Sequence, residues 1–171
     1  PWPAAPGARS ARWRALRHGR AGAGAGLLAL GQRDPFLLVA WHEERGRAGD
    51  LVLYAGTSGY PVACEDVCLF EVARLMDRYG GRVKGIGFSG HHLGIAADVA
   101  ALAIGRIKEA EGRGRFTHVE RHFTLDRTWK GTDHAASLEP DGLRRLCRDL
   151  RHVDLALAPK RQEILPVEAV Q

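Results

Sequence analysis

Short apolar runs and helix-periodic segments alternate along the chain from residue 50 onward. Runs rich in β-branched and aromatic residues predict three strands, at residues 51–55, 83–88 and 116–122. Apolar positions that recur every three to four residues predict three helices, over residues 65–79, over residues 95–107 and after Pro140. The predicted order of elements is therefore βαβαβα.

Strands that alternate with helices at this spacing are typical of an α/β fold with a parallel sheet and crossover helices. The pattern fits both an open, doubly wound sheet and a closed (β/α)8 barrel, and composition does not choose between them. In both folds the loops that follow the strands meet at one edge of the sheet, where binding sites form. We therefore expect the functional residues to follow the strands.

The segment before residue 50 has a different composition. Six arginines precede the first acidic residue, Asp34, and the rest of the chain holds 19 basic and 20 acidic residues, so this segment accounts for the net charge of +5. Its Arg/Gly/Ala bias predicts a poorly ordered or non-native segment over residues 1–49. A basic arm can bind nucleic acid through phosphates. Nucleic-acid binding is nevertheless not expected, because the arm has no lysine and no recognition motif.

The overall composition is that of one globular domain. The 171 residues are 45% apolar and 26% charged. No run approaches the roughly 20 apolar residues of a membrane-spanning helix. Three cysteines are too few for a disulfide framework, so we expect free thiols and a cytoplasmic location.

Polar side chains follow each predicted strand, and two of them are histidines at strand ends. His91 and His122 each end a strand, with Ser89 two residues before the first and Asp133 eleven residues after the second. Two imidazoles with a nearby carboxylate suit a divalent metal such as Mn²⁺ or Zn²⁺. The spacing by itself is a weak signal because it contains no compact ligand motif, and ordinary loop histidines are the alternative.

Three cationic side chains in the same region, Arg121, Arg127 and Lys130, could neutralise an anionic substrate. The alternative is that they belong to a solvated loop. Tyr60, in the loop after the first strand, could contact a ligand or could simply pack against its neighbours.

Two segments resemble a known enzyme family. Residues 87–95 read Gly-Phe-Ser-Gly-His-His-Leu-Gly-Ile. Residues 120–140 read Glu-Arg-His-Phe-Thr-Leu-Asp-Arg-Thr-Trp-Lys-Gly-Thr-Asp-His-Ala-Ala-Ser-Leu-Glu-Pro. Both resemble the C-terminal third of the catalytic barrel of N-acetylneuraminate (sialic acid) synthases. Residues 57–61, Thr-Ser-Gly-Tyr-Pro, resemble the preceding strand-loop motif. The resemblance implies that residues 50–171 form the C-terminal part of a (β/α)8 TIM barrel, about its last three βα units.

The resemblance also implies a carbon–carbon bond-forming transferase. The reaction is the condensation of phosphoenolpyruvate with N-acetylmannosamine, or a related N-acyl sugar, to an N-acetylneuraminate-type nonulosonic acid and phosphate. The family pattern assigns metal binding to His91 and His122, phosphoenolpyruvate binding to Ser58 and Ser89, sugar binding to Tyr60 and Asp133, and a catalytic role to Asp133. Mn²⁺ is the expected cation, with Mg²⁺ as the alternative, and the complete protein is expected to be a homodimer.

Part of the family pattern has no counterpart here. Nothing in residues 1–50 matches the strands that supply the family's catalytic glutamate and its phosphoenolpyruvate-binding lysines. We therefore expect the chain to be a fragment with impaired synthase activity. Two alternatives stay open. The chain could be a catalytically inactive fragment or paralogue that binds metal and phosphosugar, or the Arg-rich arm could tether it to nucleic acid or to a membrane surface.

Overall fold

The computed structural model describes residues 35–169. The prediction for residues 1–34, including the Arg-rich tether, lies outside the described residues. Four helices and three strands follow one another: α1 Phe36–Glu43, β1 Val52–Ala55, α2 Phe70–Tyr79, β2 Gly85–Gly90, α3 Ala96–Ala110, β3 Phe116–Arg121 and α4 Pro140–Ala156. From β1 onward the order is the predicted βαβαβα.

The three strands form one parallel sheet in the order β1-β2-β3. Leu53 is in register with Ile86, which pairs with Phe116 on the third strand. The parallel α/β fold predicted from the sequence is confirmed. Because the strands are parallel, the loops after Ala55, Gly90 and Arg121 all leave the same edge of the sheet.

One face of the sheet is covered by helices, and the main core lies between them. Side chains alternate between the two faces of a strand, so the apolar residues of the helix-covered face recur at every second position. The sheet supplies the buried residues Leu53, Ala55, Ile86, Phe88 and Phe116, and α2 and α3 supply Val72, Leu75, Met76, Ala101 and Leu102. The opposite face holds Tyr54, Gly87 and His118 in register, and leads to the candidate site.

Residues 35–49 differ from the poorly ordered segment that the composition predicts. They contain α1, in which Val39 is completely buried in the main core. Glu43 at the end of this helix accepts two hydrogen bonds from Arg82, at 2.7 and 2.8 Å. Residues 35–49 are ordered because the apolar run at residues 36–41 packs against the α/β unit. The Arg/Gly/Ala-rich composition of the surrounding segment does not prevent this packing.

Helix α2 begins later than its hydrophobic periodicity predicts. A 3-10 turn at Cys64–Asp66 occupies the first part of the predicted helix, and Cys68 has a left-handed backbone with φ of 51°. All three cysteines are exposed and unpaired. Among the helices of the described region, none has the length and apolar character needed to cross a membrane.

Candidate metal centre

The candidate site lies at the carboxyl edge of the sheet, on the face that the helices leave open. Strand alternation places Glu120 and His122 on the same side of β3, with Arg121 between them on the opposite side. The same alternation around Gly90 places Ser89 and His91 together at the end of β2. Ser89 pairs with Glu120 in the sheet register, so the two strands bring these side chains side by side.

Three side chains are close enough to hold one metal ion. His91, Glu120 and His122 each offer a ligand atom, and these atoms all lie within 4.8 Å of one another. The ring centroids of the two histidines are 5.0 Å apart. Two imidazoles and one carboxylate form a donor set that suits Mn²⁺, Fe²⁺ or Zn²⁺. The residues present therefore fit a divalent cation, and His91, Glu120 and His122 are the side chains that would hold it.

The sequence pattern pairs the two histidines with Asp133 and does not single out Glu120 as a ligand. A signal for it existed, because a residue two positions before His122 on a strand points to the same side. The carboxylate accepts a short hydrogen bond from the Ser89 hydroxyl, which holds it beside the histidines. Glu120 is partly buried, as is His122, whereas His91 is buried.

The ring of His91 is held by the loop that follows β1. Its Nδ1 lies 2.8 Å from the backbone carbonyl oxygen of Thr57. A carbonyl oxygen only accepts hydrogen bonds, so Nδ1 carries the proton and Nε2 is the atom left to bind a cation. The Ser89 hydroxyl oxygen lies 3.2 Å from that Nε2. This arrangement is the usual one for a metal-binding histidine, whose second ring nitrogen is fixed by an acceptor.

His122 lies between two carboxylates. Its Nε2 is 3.8 Å from Glu120, and its Nδ1 is 3.5 Å from Asp133. The Asp133 side chain is 52% exposed, so this carboxylate lies at the mouth of the site rather than in its interior. The structure thus brings the predicted residues His91, His122 and Asp133 together at one place.

The remaining predicted residues lie at different distances from the triad. The Tyr60 ring centroid is 4.4 Å from that of His91 and 5.4 Å from that of His122, so the phenol ring covers both imidazoles. Ser89 contacts both His91 and Glu120. Ser58 is exposed in the loop after β1, and no contact in the described part of the chain joins it to the triad.

The three cationic residues considered for anion binding differ in their availability. Arg121 points away from the triad, and its side chain, 2% exposed, forms an ion pair with Asp98. Arg127 is exposed and donates two hydrogen bonds to the Ala135 carbonyl oxygen. Lys130 is exposed in the loop after β3. Arg121 is therefore not an anion-binding group on the site face.

Tyr54 lies one layer below the triad on the same face of the sheet. Burial is the main cause that raises the pKa of its phenol, and the negative charge of Glu120 adds to the effect. The phenol consequently stays neutral over the pH range in which proteins usually function. Because Tyr54 is neutral, the negative charge of the site comes from the carboxylates of Glu120 and Asp133.

A parallel α/β unit that brings two histidines and a carboxylate together at its carboxyl edge defines an α/β protein with a candidate metal-binding triad. The chain belongs to the NeuB family, because the sequence model of that family matches residues 36–162. The family resemblance predicted from the sequence is therefore confirmed.

Proteins similar to this chain include synthases of N-acetylneuraminate 9-phosphate and of N,N'-diacetyllegionaminic acid. The chain is 44% identical over 112 residues to N-acetylneuraminate-9-phosphate synthase of Homo sapiens, covering 66% of this chain and 28% of the human protein. It is 32% identical over 132 residues to N,N'-diacetyllegionaminic acid synthase of Campylobacter jejuni, covering 77% of this chain and 35% of that protein. The chain thus spans about a third of the length of these curated relatives.

A solved structure has the same fold. The N-acetylneuraminic acid (sialic acid) synthetase of Leptospira borgpetersenii, crystallised with citrate, superposes with a TM-score of 0.61 at 25% identity. The match covers 81% of this chain and 45% of the Leptospira chain. The spore coat polysaccharide biosynthesis protein SpsE of Bacillus subtilis shares the fold, with a TM-score of 0.58.

Proposed function

We propose that this chain carries the metal-binding part of a nonulosonic acid synthase site. The reaction is the condensation of phosphoenolpyruvate with N-acetylmannosamine, or a related N-acyl sugar, to a nine-carbon sugar acid and phosphate. The single observation that supports it best is the His91–Glu120–His122 triad, whose ligand atoms lie within 4.8 Å of one another in a chain of the NeuB family. The relatives named above make sialic, legionaminic or related acids.

The triad suits the electrophilic half of this reaction. A divalent cation bound there, Mn²⁺ or alternatively Mg²⁺, would act as a Lewis acid toward the sugar aldehyde. His91 and His122 would hold the cation, and the Thr57 carbonyl keeps His91 in the tautomer that offers Nε2. Glu120 adds a negative charge that favours a dication over a monovalent ion.

The residues around the triad suit the sugar. Asp133 is exposed beside His122, where its carboxylate can accept hydrogen bonds from sugar hydroxyls and hold or move a proton. Tyr60 presents a half-exposed ring beside both histidines, a surface against which the apolar face of a sugar packs well. These roles for Asp133 and Tyr60 are part of the proposal.

The phosphoenolpyruvate contacts are assigned to Ser58 and Ser89. Ser58 is exposed and its hydroxyl is available as a donor. Ser89 donates its hydroxyl to Glu120, so a hydrogen bond from Ser89 to phosphoenolpyruvate requires this bond to be exchanged. We therefore expect Ser58→Ala to raise the Michaelis constant for phosphoenolpyruvate, and Ser89→Ala to weaken cation binding as well.

The proposal includes an architecture. The three strands are interpreted as adjacent βα units of a (β/α)8 barrel, with the helix-covered face outward and the triad face toward the barrel axis. The similarity to the Leptospira enzyme and the parallel order β1-β2-β3 support this interpretation. The complete protein is proposed to be a cytoplasmic homodimer, and the exposed free thiols fit a reducing compartment.

We propose that turnover by this chain alone is slow, because few cations face the site. Of its four lysines, Lys84 precedes β2 and so lies at the opposite edge of the sheet. Lys108 is paired with Asp77 and Lys160 with Glu168, at 3.0 and 2.8 Å. Lys130 is the lysine left at the carboxyl edge within the described region. A catalytically inactive metal- and phosphosugar-binding chain is the second candidate, and the same observation favours it.

Metal binding is the first test. We expect the chain to bind Mn²⁺ with a stoichiometry of one by electron paramagnetic resonance titration, and His122→Ala or His91→Ala to abolish binding. His152→Ala, which removes an exposed histidine from α4, is the matched control and should leave binding unchanged. Mn²⁺ binding that survives both site substitutions would overturn the proposed site.

Phosphate release then separates the two candidate functions. The synthase hypothesis predicts slow release of phosphate from phosphoenolpyruvate that requires both N-acetylmannosamine and Mn²⁺ and disappears in His122→Ala. Mn²⁺ binding without any such release would favour the inactive binding chain.

A further inference from the structure

A buried charged cluster lies directly behind the metal centre, on the opposite side of β2 and β3. Arg121 lies between Glu120 and His122 in the sequence, and its side chain points into this cluster. Asp98 of α3 is fully buried, and its Oδ2 accepts a hydrogen bond from Arg121 Nη1 at 2.6 Å. His92, which follows His91, completes the cluster with Nε2 3.3 Å from Asp98.

Arg121 contacts three separate segments at the carboxyl edge of the sheet. Nη1 donates to the Gly94 carbonyl at 2.7 Å, in the loop after β2. Nη2 donates to the His92 carbonyl at 2.8 Å and to the Ala136 carbonyl at 3.2 Å, so the loop after β3 is included. The Arg121 guanidinium therefore connects the end of β3 to helix α3, through Asp98, and to the loops after β2 and β3.

We expect this cluster to contribute little to the free energy of folding. The side chains of Asp98, Arg121 and His92 are 0%, 2% and 3% exposed, so two charges have lost their contact with water. In addition, Asp98 Oδ1, Arg121 Nε and His92 Nδ1 are buried without a hydrogen-bond partner among the described residues. Desolvation of buried ion pairs often cancels their attraction, and apolar replacements are frequently as stable. The cluster therefore calls for a role other than stabilisation.

We propose that Arg121 and Asp98 are positioning residues for the metal centre. This inference rests on the proposed function of the triad. Glu120 and His122 are the residues directly before and after Arg121. Fixing the Arg121 side chain therefore also fixes the direction in which these two ligands point. In the loop after β2, the hydrogen bond from Arg121 to the His92 carbonyl fixes the backbone immediately after His91. One ion pair thus sets the separation of all three metal ligands.

The planar fork of arginine is what this arrangement requires. Arg121 uses its two terminal nitrogens for one carboxylate and three carbonyl oxygens in different directions. A lysine ammonium keeps the charge but cannot serve these acceptors in the same fixed geometry. Arg121→Lys therefore preserves the ion pair with Asp98 while loosening the site loops.

The test compares Arg121→Lys with Arg106→Lys in the full chain. Arg106 is the matched control, because it also pairs with a carboxylate, Asp154, at 2.6 Å and donates to the Phe116 carbonyl, at the other end of β3. Using Mn²⁺ as the probe, we expect Arg121→Lys to weaken binding about tenfold or more, the range found when groups behind metal ligands are changed. Arg106→Lys should bind Mn²⁺ as the unaltered chain does.

A spectroscopic readout separates positioning from general destabilisation. The electron paramagnetic resonance spectrum of bound Mn²⁺ should change in Arg121→Lys and not in Arg106→Lys. This difference should remain when urea denaturation shows that the two variants are equally stable. Asp98→Asn, which keeps the shape of the anchor, is the second variant and should produce the same spectral change. If Arg121→Lys does not fold, Asp98→Asn decides the question, and if neither folds the pair is structural and the inference is wrong.

The outcomes for the two proposals are distinguishable. An unaltered chain that binds no Mn²⁺ overturns the proposed metal centre, and with it the inference. An unaltered chain that binds Mn²⁺, together with Arg121→Lys and Asp98→Asn that bind it with the same affinity and the same spectrum, overturns the positioning role alone.

Discussion

At the scale of single residues, Gly90 is where the metal centre and the buried cluster are closest. Ser89 and the triad residue His91 flank it on the site face of the sheet, and the absence of a side chain at Gly90 leaves room for the buried cluster on the other face. A Cβ atom at Gly90 would lie 2.7 Å from Asp98 Oδ1, 2.9 Å from Arg121 Cδ and 3.0 Å from His92 Cε1. All three side chains are buried, and Asp98 and Arg121 are joined by an ion pair, so these atoms can make room only by disturbing the cluster.

We expect Gly90→Ala to lower the free energy of unfolding by about 1–3 kcal/mol, the usual cost of inserting a methyl group into a packed interior. It should also weaken Mn²⁺ binding, since the displaced atoms include Arg121. Urea denaturation measures the first effect. Gly81→Ala is the control, because nothing lies within 4 Å of a Cβ atom there. Gly90→Ala with unchanged stability would contradict the packing argument.

At the scale of elements, an ion pair and the buried side chain of Val39 both join α1 to the α/β unit, and Leu38 packs against the same core. Val39 is completely buried, and Glu43 is paired through both carboxylate oxygens with Arg82, which follows α2. The hydrogen bond from Arg82 is the main cause that lowers the pKa of the Glu43 carboxyl below its usual value. Folding therefore favours the ionised form of Glu43.

The sign of the pH dependence follows from that lowered pKa. The contribution of Glu43 to stability is present above the carboxyl's ordinary pKa and is lost as the pH falls through its lowered folded-state pKa. Glu43→Gln should thus be less stable than the unaltered chain at pH 7, and the difference should shrink as the solution is acidified. Thermal unfolding at several pH values measures it.

Glu44→Gln is the control for this prediction, because the Glu44 side chain is 74% exposed and should tolerate the change. A difference between Glu43→Gln and the unaltered chain that is the same at pH 7 and pH 3 would show that the carboxylate charge contributes nothing.

The elements from β1 onward could be predicted because each has a clear periodicity, whereas α1 could not. Phe36, Leu37 and Trp41 are about half exposed, so the apolar run of α1 has no polar face that would mark a helix. The hydrophobic spacing also places the start of α2 too early. Val67 fits the spacing and is buried, but it follows a 3-10 turn and lies before the first residue of α2, Phe70. Local periodicity identifies buried positions more reliably than it identifies the boundaries of elements.

At the scale of the whole molecule, the sequence could predict which strand ends meet but not what lies behind them. His91 and His122 could be placed together because parallel strands share a carboxyl edge. The pairing of Arg121 with Asp98 joins residues 23 positions apart on a strand and a helix, and depends on how α3 packs against the sheet. No spacing rule gives the contact with Asp98, although the alternation of side chains along β3 does place Arg121 on the face opposite Glu120 and His122.

The same geometry predicts that metal binding stabilises the whole fold. The three ligands come from the ends of β2 and β3, and they converge only when these strands are paired, so the cation binds the folded chain in preference to the unfolded one. A ligand present at 100 times its dissociation constant adds about 2.7 kcal/mol of stability. For a chain of this size that raises the melting temperature by roughly 5–10 °C.

We expect Mn²⁺ to produce this rise and a chelator to reverse it. Mg²⁺ should produce a smaller rise at equal concentration, because it prefers oxygen ligands and two of the three donors here are imidazoles. His91→Ala should remove the response to Mn²⁺, whereas His152→Ala on the exposed face of α4 should keep it. An equal rise with both cations in the unaltered chain would mean that carboxylates alone bind the metal, and that the two histidines that connect β2 to β3 take no part.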